Sequence, residues 1–121
     1  MGVLWYKGFF NKKGVLSSYE IKFISLINKY SLPLKFVGDG DFWITYKGKN
    51  MNPDFVSIDN SRIVVEVYSI YMRERNGCTE EEYKIERAEA FSSFGYKVIC
   101  FNEHDLFRPD WEQHCLKVLD I

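Results

Sequence analysis

The sequence predicts an α/β fold, a three-layer-like α/β sandwich with a central mixed sheet. Two amphipathic helical patterns enclose a series of short β-type runs, which is typical of a sheet covered by helices. A further strand pattern follows the second helix, and a strand reached through a helical crossover usually runs parallel to its neighbour. The 121 residues give room for a single domain, and the 46% of hydrophobic residues are enough for one core.

The first half is predicted to begin with a helix. The hydroxyls of Ser17 and Ser18 can cap its free N–H groups, apolar residues recur on one face, and Pro33 ends the pattern. Short β-type runs separated by turns come next, and their spacing fits a hairpin or meander. They cover residues 34–37, 42–46, 53–58 and 62–68.

The second half is predicted to alternate helix, strand and helix. Thr79 caps a helix that reaches about Phe94 and is stopped by Gly95. Residues 96–101 have the pattern of a buried strand, and a last amphipathic helix follows at 109–120.

The whole chain, 1–121, is predicted to be one domain with an N-terminal arm at 1–16. No run of about 18 apolar residues occurs in the sequence, so no membrane partner is expected. The first residues lack the basic-then-apolar order of a signal peptide, which favours a cytoplasmic, intracellular location.

Charge is divided unevenly along the chain. The net charge of -1 argues against a uniformly basic surface. Residues 1–52 hold eight lysines and three acids, a balance of +5, whereas residues 53–121 hold eight basic and fourteen acidic residues, a balance of -6. The second half therefore contains most of the candidate acidic ligands.

Two acids on neighbouring β-type runs are candidates for a metal site. Asp54 begins one run, and Glu66 lies inside the next among Ile and Val residues, where a carboxylate needs a partner. Two adjacent strands can aim both side chains at one point and hold a hard divalent cation through oxygen. The structural alternative is a turn-capping Asp and an edge-strand Glu.

Two charged residues on apolar helix faces strengthen this interpretation. Glu20 shares a helix face with Phe23 and Ile27, and Arg87 lies on the apolar stripe of the second helix. A buried Glu20–Arg87 ion pair, or snorkelling side chains, is the structural alternative. Glu103-His104-Asp105 adds a titratable cluster at the end of the last strand, where sites of open α/β sheets are favoured.

These residues occur in an order that resembles the core of the PD-(D/E)XK nucleases. The closest likeness is to the Vsr-like (very-short-patch-repair) endonucleases and the EDxHD homing endonucleases, over about residues 15–107. The segments that carry it are Ser17-Ser18-Tyr19-Glu20, Val37-Gly38-Asp39-Gly40-Asp41-Phe42-Trp43, Asn52-Pro53-Asp54-Phe55-Val56, Val64-Val65-Glu66-Val67-Tyr68, residues 83–87, Gly95-Tyr96-Lys97-Val98-Ile99 and Glu103-His104-Asp105-Leu106.

The resemblance implies a restriction-endonuclease-like core and a role for each acid. Asp54 would be the central Mg²⁺ (or Mn²⁺) ligand, Glu20 would complete the acidic site, and Glu66 matches the second-strand acidic position. His104 and Asp105 match the tail of the EDxHD pattern, with His104 as general base or proton donor.

Two departures from the family pattern concern the cation that stabilises charge. The core pattern places Lys two residues after the second acid, where this chain has Tyr68. Vsr-like relatives have a Trp-His pair a little later, and Met72-Arg73 stands there. Lys84, on the second helix, is the candidate for a relocated lysine, with Arg87 and Arg73 as alternatives.

The function that the resemblance implies is metal-dependent hydrolysis of phosphodiester bonds in double-stranded DNA. An inactive DNA-binding module on the same fold and a small protein-interaction domain are the alternatives. A chain this short is expected to need a homodimer or a separate DNA-binding domain for a long site. Solvated loops are the alternative for the lysines among the candidate DNA contacts, which are Lys12, Lys13, Trp43, Lys47, Lys49 and Arg73.

Overall fold

The computed structural model describes residues 3–6, 16–75 and 77–121, the first of these segments through its backbone alone. The predicted arm contains a strand, β1 (Val3–Tyr6). The candidate DNA contacts Lys12 and Lys13 lie outside the described residues.

Five helices lie in the part of the chain that the structure describes. They are α1 (Ser18–Tyr30), α2 (Ile70–Arg75), α3 (Glu80–Ser92), α4 (Glu103–Leu106) and α5 (Trp111–Leu119). The predicted caps of the two long helices are confirmed, because the Ser17 and Thr79 side chains each accept a backbone N–H of the first turn. Two helices were not predicted, α2 and α4.

The strands form two sheets. The central sheet has the order β2 (Leu34–Phe36), β5 (Phe55–Ser57), β6 (Ile63–Val67) and β7 (Lys97–Phe101). Its first two pairings are antiparallel, and β6 and β7 are parallel, so the predicted mixed sheet and the parallel last strand are confirmed. The second sheet joins β1, β3 (Phe42–Tyr46) and β4 (Lys49–Met51) in antiparallel order.

A hydrophobic core lies on each face of the central sheet, which gives the predicted layers. One core joins the sheet to α1, α4 and α5 through residues such as Phe23, Leu106 and Leu119. The other joins it to α3 and to the β3–β4 hairpin through residues such as Phe91 and Ile44. Since side chains alternate along a strand, successive residues of β5, β6 and β7 serve opposite cores.

Candidate functional site

Asp54 is fixed at one end of the central sheet by backbone contacts on both sides. Its carbonyl accepts the N–H groups of Val37 and Gly38 at 2.8 and 3.1 Å, just beyond β2. Its carboxyl Oδ2 accepts the Val67 N–H at 2.8 Å, at the end of β6. The side chain is therefore anchored by one oxygen between two strand ends.

The Asp54 carboxyl resists ionisation. Burial raises its pKa to about 8, and the nearby carboxylates of Glu66 and Glu20 act in the same direction, while the Val67 N–H opposes them. A carboxyl of this kind holds its proton at neutral pH. A cation placed against it would release that proton, because positive charge stabilises the ionised form.

Glu20 caps the start of α1 and also lies near Asp54. Its Oε1 accepts the Ser17 N–H at 2.8 Å, and its own N–H donates to the Ser17 hydroxyl at 3.2 Å, which makes a capping box. The other oxygen, Oε2, faces the backbone of Gly38, where an added Cβ would lie 3.3 Å from it. Glu20, which was predicted to lie on the apolar face of the helix, thus lies in the first turn of α1. There it borders the acidic cluster that Glu20, Asp54 and Glu66 form.

Glu66 is buried, with 2% of its surface exposed, and faces Arg87. The Nη1 of Arg87 lies 3.1 Å from Oε2 of Glu66, although no hydrogen bond of good geometry satisfies either atom. The register of β5 and β6, in which Phe55 faces Val65, places Glu66 opposite Asp54. β6 is an inner strand, so the alternative of an edge-strand Glu is wrong.

The buried ion pair differs from the one considered from the sequence. Arg87 pairs with Glu66 and not with Glu20, whose carboxylate is used at the start of α1. Burial raises the pKa of Glu66, and the charges of Arg87 and Arg73 oppose this effect.

Two arginines lie against one aromatic ring of α3 beside this pair. The guanidinium carbon of Arg73 is 4.0 Å from the centre of the Tyr83 ring, and that of Arg87 is 5.1 Å from the same centre. From the sequence, Tyr83 is predicted to lie on the apolar stripe of α3 and in the segment 83–87 that carries the family resemblance. The signal that could have found its role is its position four residues before Arg87, which puts both on one helix face.

The position where the family pattern has a lysine is occupied by a neutral hydrogen-bonding group. The Tyr68 hydroxyl donates to Oε2 of Glu80 at 2.8 Å, and the Asn102 amide donates to the same atom at 2.9 Å. Lys84 also faces Glu80, with its Nζ 3.7 Å from Oε2, and its side chain is exposed. Lys84 also lines an open groove along the outer edge of β7.

The last acidic motif lies on α4, and its three residues have different surroundings. Glu103 accepts the Ser69 hydroxyl at 2.8 Å and the Ile70 N–H at 2.7 Å, so it caps the start of α2. Asp105 forms a capping box with Asn102, and its Oδ1 lies 2.8 Å from Nε2 of His114.

His104 lines an open groove of about 760 Å³ between α2 and α4. Tyr71, Arg75 and Glu103 line the same groove. Because α2 follows β6 and α4 follows β7, this groove lies at the sheet end where Val67 contacts Asp54. Within the described residues, no hydrogen bond or ion pair joins His104 to Asp54.

Two of the predicted DNA contacts are paired with acids of α3. Lys47 lies 2.9 Å from Glu89, and Lys49 lies 2.8 Å from Glu86. Trp43 is half-buried in β3. These lysines are available to phosphate only if they leave their carboxylate partners.

The acidic cluster fits a divalent cation through two of its carboxyls. Burial and the charge of Glu66 raise the pKa of Asp54 most, and Glu20 acts in the same direction, so the Glu20 and Asp54 carboxyls are neighbours. Hard cations such as Mg²⁺ prefer carboxylate oxygens. Among the described side chains, no group of three His, Cys, Asp or Glu residues has the arrangement of a metal centre, and Glu66 is engaged by Arg87.

No family model, no curated protein and no solved structure matches the chain. In the part of the chain that the structure describes, no helix has the length and apolar character needed to cross a membrane.

Proposed function

We propose that the protein is a Mg²⁺- or Mn²⁺-dependent endonuclease that hydrolyses phosphodiester bonds of double-stranded DNA, on a restriction-endonuclease-like core of the Vsr-like kind. The observation that carries this proposal is the Asp54 carboxyl, whose pKa is raised to about 8 where β2, β5 and β6 meet the start of α1. Carboxyls with strongly perturbed pKa values cluster at functional sites.

Glu20 and Asp54 would hold the cation. When bound, Mg²⁺ would polarise a phosphate oxygen and lower the pKa of an attacking water. The chain supplies the anchoring, because the Val67 N–H fixes one oxygen of Asp54 and the Ser17 N–H fixes one oxygen of Glu20. Among the described residues, no backbone N–H holds the second oxygen of either carboxyl.

Arg73 would stabilise the negative charge that develops during hydrolysis. It lies over the Tyr83 ring and its charge reaches Glu66, whereas Lys84 is exposed and faces Glu80. A guanidinium also matches the geometry of phosphate oxygens. His104, in the adjacent groove, would give a proton to the leaving oxygen.

Cleavage of supercoiled plasmid tests the proposal. Wild-type protein is expected to nick or cut the plasmid when Mg²⁺ is present and to be inactive when the metal is chelated. Asp54→Ala is expected to bind DNA and remain folded without cleaving it. Undiminished cleavage by Asp54→Ala would contradict the proposal.

A second candidate is a catalytically inactive DNA-binding module on the same fold. The observation that favours it is the Glu66–Arg87 pair, in which an arginine neutralises the second acidic position. Tyr68, which stands where the family pattern has a lysine, also favours an inactive module. This candidate expects salt-sensitive DNA binding that chelation of metal leaves unchanged, and no plasmid cleavage by wild-type protein with either Mg²⁺ or Mn²⁺.

A further inference from the structure

The two edges of the central sheet differ in how well they resist pairing with another chain. At one edge, β2 has only three residues, follows Pro33 and carries an exposed Lys35, all of which discourage pairing. At the other edge, β7 has five residues, and only its first, Lys97, is charged. In the segments that the structure describes, no strand pairs with the outer side of β7.

Alternate residues of β7 direct their backbone groups away from the sheet. The Lys97 N–H donates to a carbonyl just before β6, and the Phe101 carbonyl accepts an N–H just after β6, both at 3.0 Å. Bonding residues alternate along a ladder of this kind, so Ile99 also faces β6. The N–H and C=O groups of Val98 and Cys100 therefore point outward.

We propose that a second copy of this chain pairs with the outer edge of β7 in antiparallel orientation, about a two-fold axis at Ile99. In this register, Val98 of each copy lies opposite Cys100 of the other. Both residues point their backbone groups at the partner, so the two pairs form four hydrogen bonds. The edge is self-complementary, which is what a two-fold symmetric interface requires.

The backbone bonds next to β7 exclude the neighbouring registers. A shift of two residues one way would require the Tyr96 N–H, which donates to the Phe91 carbonyl at 3.0 Å. The opposite shift would require the Asn102 N–H, which donates to Asp105 at 2.9 Å. The register centred on Ile99 forms both of its pairs from Val98 and Cys100 alone, so it needs neither of these N–H groups.

The outer edge of β7 borders an open groove that the second chain would cover. A groove of about 340 Å³ runs along β7 and is lined by Lys84 and Ala88 of α3 and Val118 of α5. Val118 is apolar and 42% exposed, so a partner would cover it.

Light scattering during gel filtration, at tens of micromolar protein, tests the dimer. The expected mass is twice 14.4 kDa for the wild type. Val118→Glu is expected to shift the mass to that of the monomer, because it places a charge in the covered groove. Ile58→Glu, at an exposed position after β5, is the matched control and is expected to stay dimeric. A monomeric wild type would overturn the proposal.

Disulfide trapping tests the register, in a Cys78→Ser background that removes an accessible thiol. Val98→Cys is expected to form a covalent dimer with Cys100 of the second copy on mild oxidation, since opposed residues of such pairs have Cα atoms about 5.5 Å apart. Adding Cys100→Ser is expected to abolish the covalent dimer. Cross-linking that persists without Cys100, or no cross-linking in a dimeric protein, would overturn the register. Neither readout depends on nuclease activity.

Discussion

The guanidinium of Arg87 lies 3.1 Å from the carboxylate of Glu66 in the interior between α3 and the central sheet. Arg87→Met is expected to destabilise the protein by about 3–5 kcal/mol, because it leaves a buried charge without a partner. Glu66→Gln combined with Arg87→Met is expected to recover most of that loss. Urea unfolding at pH 7 measures both. The exposed pair of Lys49 and Glu86 provides the control, and Lys49→Met is expected to leave the unfolding midpoint nearly unchanged. Additive losses in the double variant would contradict the pairing.

Asp54 is expected to make the protein less stable as pH rises. Its folded-state pKa of about 8 lies above the usual value near 3.8, so between these values only the unfolded chain loses the proton. The free energy of unfolding is expected to fall by up to about 1.4 kcal/mol per pH unit across that window.

Asp54→Asn is expected to remove this pH dependence, and urea unfolding from pH 4 to pH 8 measures it. Asp59→Asn is the control, because hydrogen bonds from Ser61 lower the pKa of Asp59 and its effect is confined to acid pH. Equal pH dependence in wild type and Asp54→Asn would show that the Asp54 pKa is not raised.

The acids of the site could be identified from the sequence, whereas their pairing could not. Glu66 stands out in an apolar run and Glu20 on an apolar helix face, because a charge there violates a local pattern. The choice between Glu20 and Glu66 as the partner of Arg87 depends on how α3 packs on the sheet. That packing is set by contacts between distant segments, which periodicity does not encode.

The two helices that the sequence did not predict show no burial period. α2 has six residues and no buried side chain among them, so it shows no apolar stripe. α4 has four residues and begins with a capping box centred on Asn102, which looks like a turn in sequence. The short β-type runs at 34–68 predict strands. The alternation of apolar and polar residues does not say which strands pair, so the sequence does not predict that these strands divide between two sheets.

Glu20→Gln is expected to lower the pKa of Asp54 below about 8, because it removes a neighbouring negative charge. Gln can still complete the capping box with Ser17, so the melting temperature is expected to change little. Carbon-13 NMR titration of the Asp54 carboxyl measures the pKa. Ser17→Ala is the converse control, since it costs about 1 kcal/mol of stability and leaves the Asp54 titration in place. An unchanged Asp54 pKa in Glu20→Gln would show that the Glu20 charge does not act on Asp54.

Arg73→Met is expected to reduce the rate of plasmid cleavage by roughly 100-fold, because it removes the cation assigned to the developing charge. Arg73→Lys is expected to restore part of the rate, with weaker phosphate geometry. Lys84→Met removes a cation of the same charge that faces Glu80, and the rate is expected to stay within a few-fold of wild type. A larger loss of cleavage rate in Lys84→Met than in Arg73→Met would mean that Lys84, and not Arg73, stabilises the developing charge.

Releasing Lys47 and Lys49 from α3 is expected to strengthen DNA binding. Glu86→Gln with Glu89→Gln frees both ammonium groups for phosphate. Fluorescence anisotropy with a labelled duplex is expected to show tighter binding, and the slope of log K against log salt is expected to become steeper by about 1 to 2. Glu112→Gln, which frees Lys29 instead, is the control for a general change in charge. Equal effects of the two changes would mean that Lys47 and Lys49 make no contact with DNA.

Glu20 and Asp54 are proposed to bind one divalent cation that the reaction requires. Calorimetric titration with Mn²⁺ at pH 7, in buffers of different ionisation enthalpy, tests it most directly. The wild type is expected to bind one ion and release about one proton, because Asp54 is protonated at that pH until the cation arrives. Asp54→Asn is expected to bind no ion at the same concentrations. Wild-type protein that binds no Mn²⁺, or Asp54→Asn that binds it equally well, would contradict the claim.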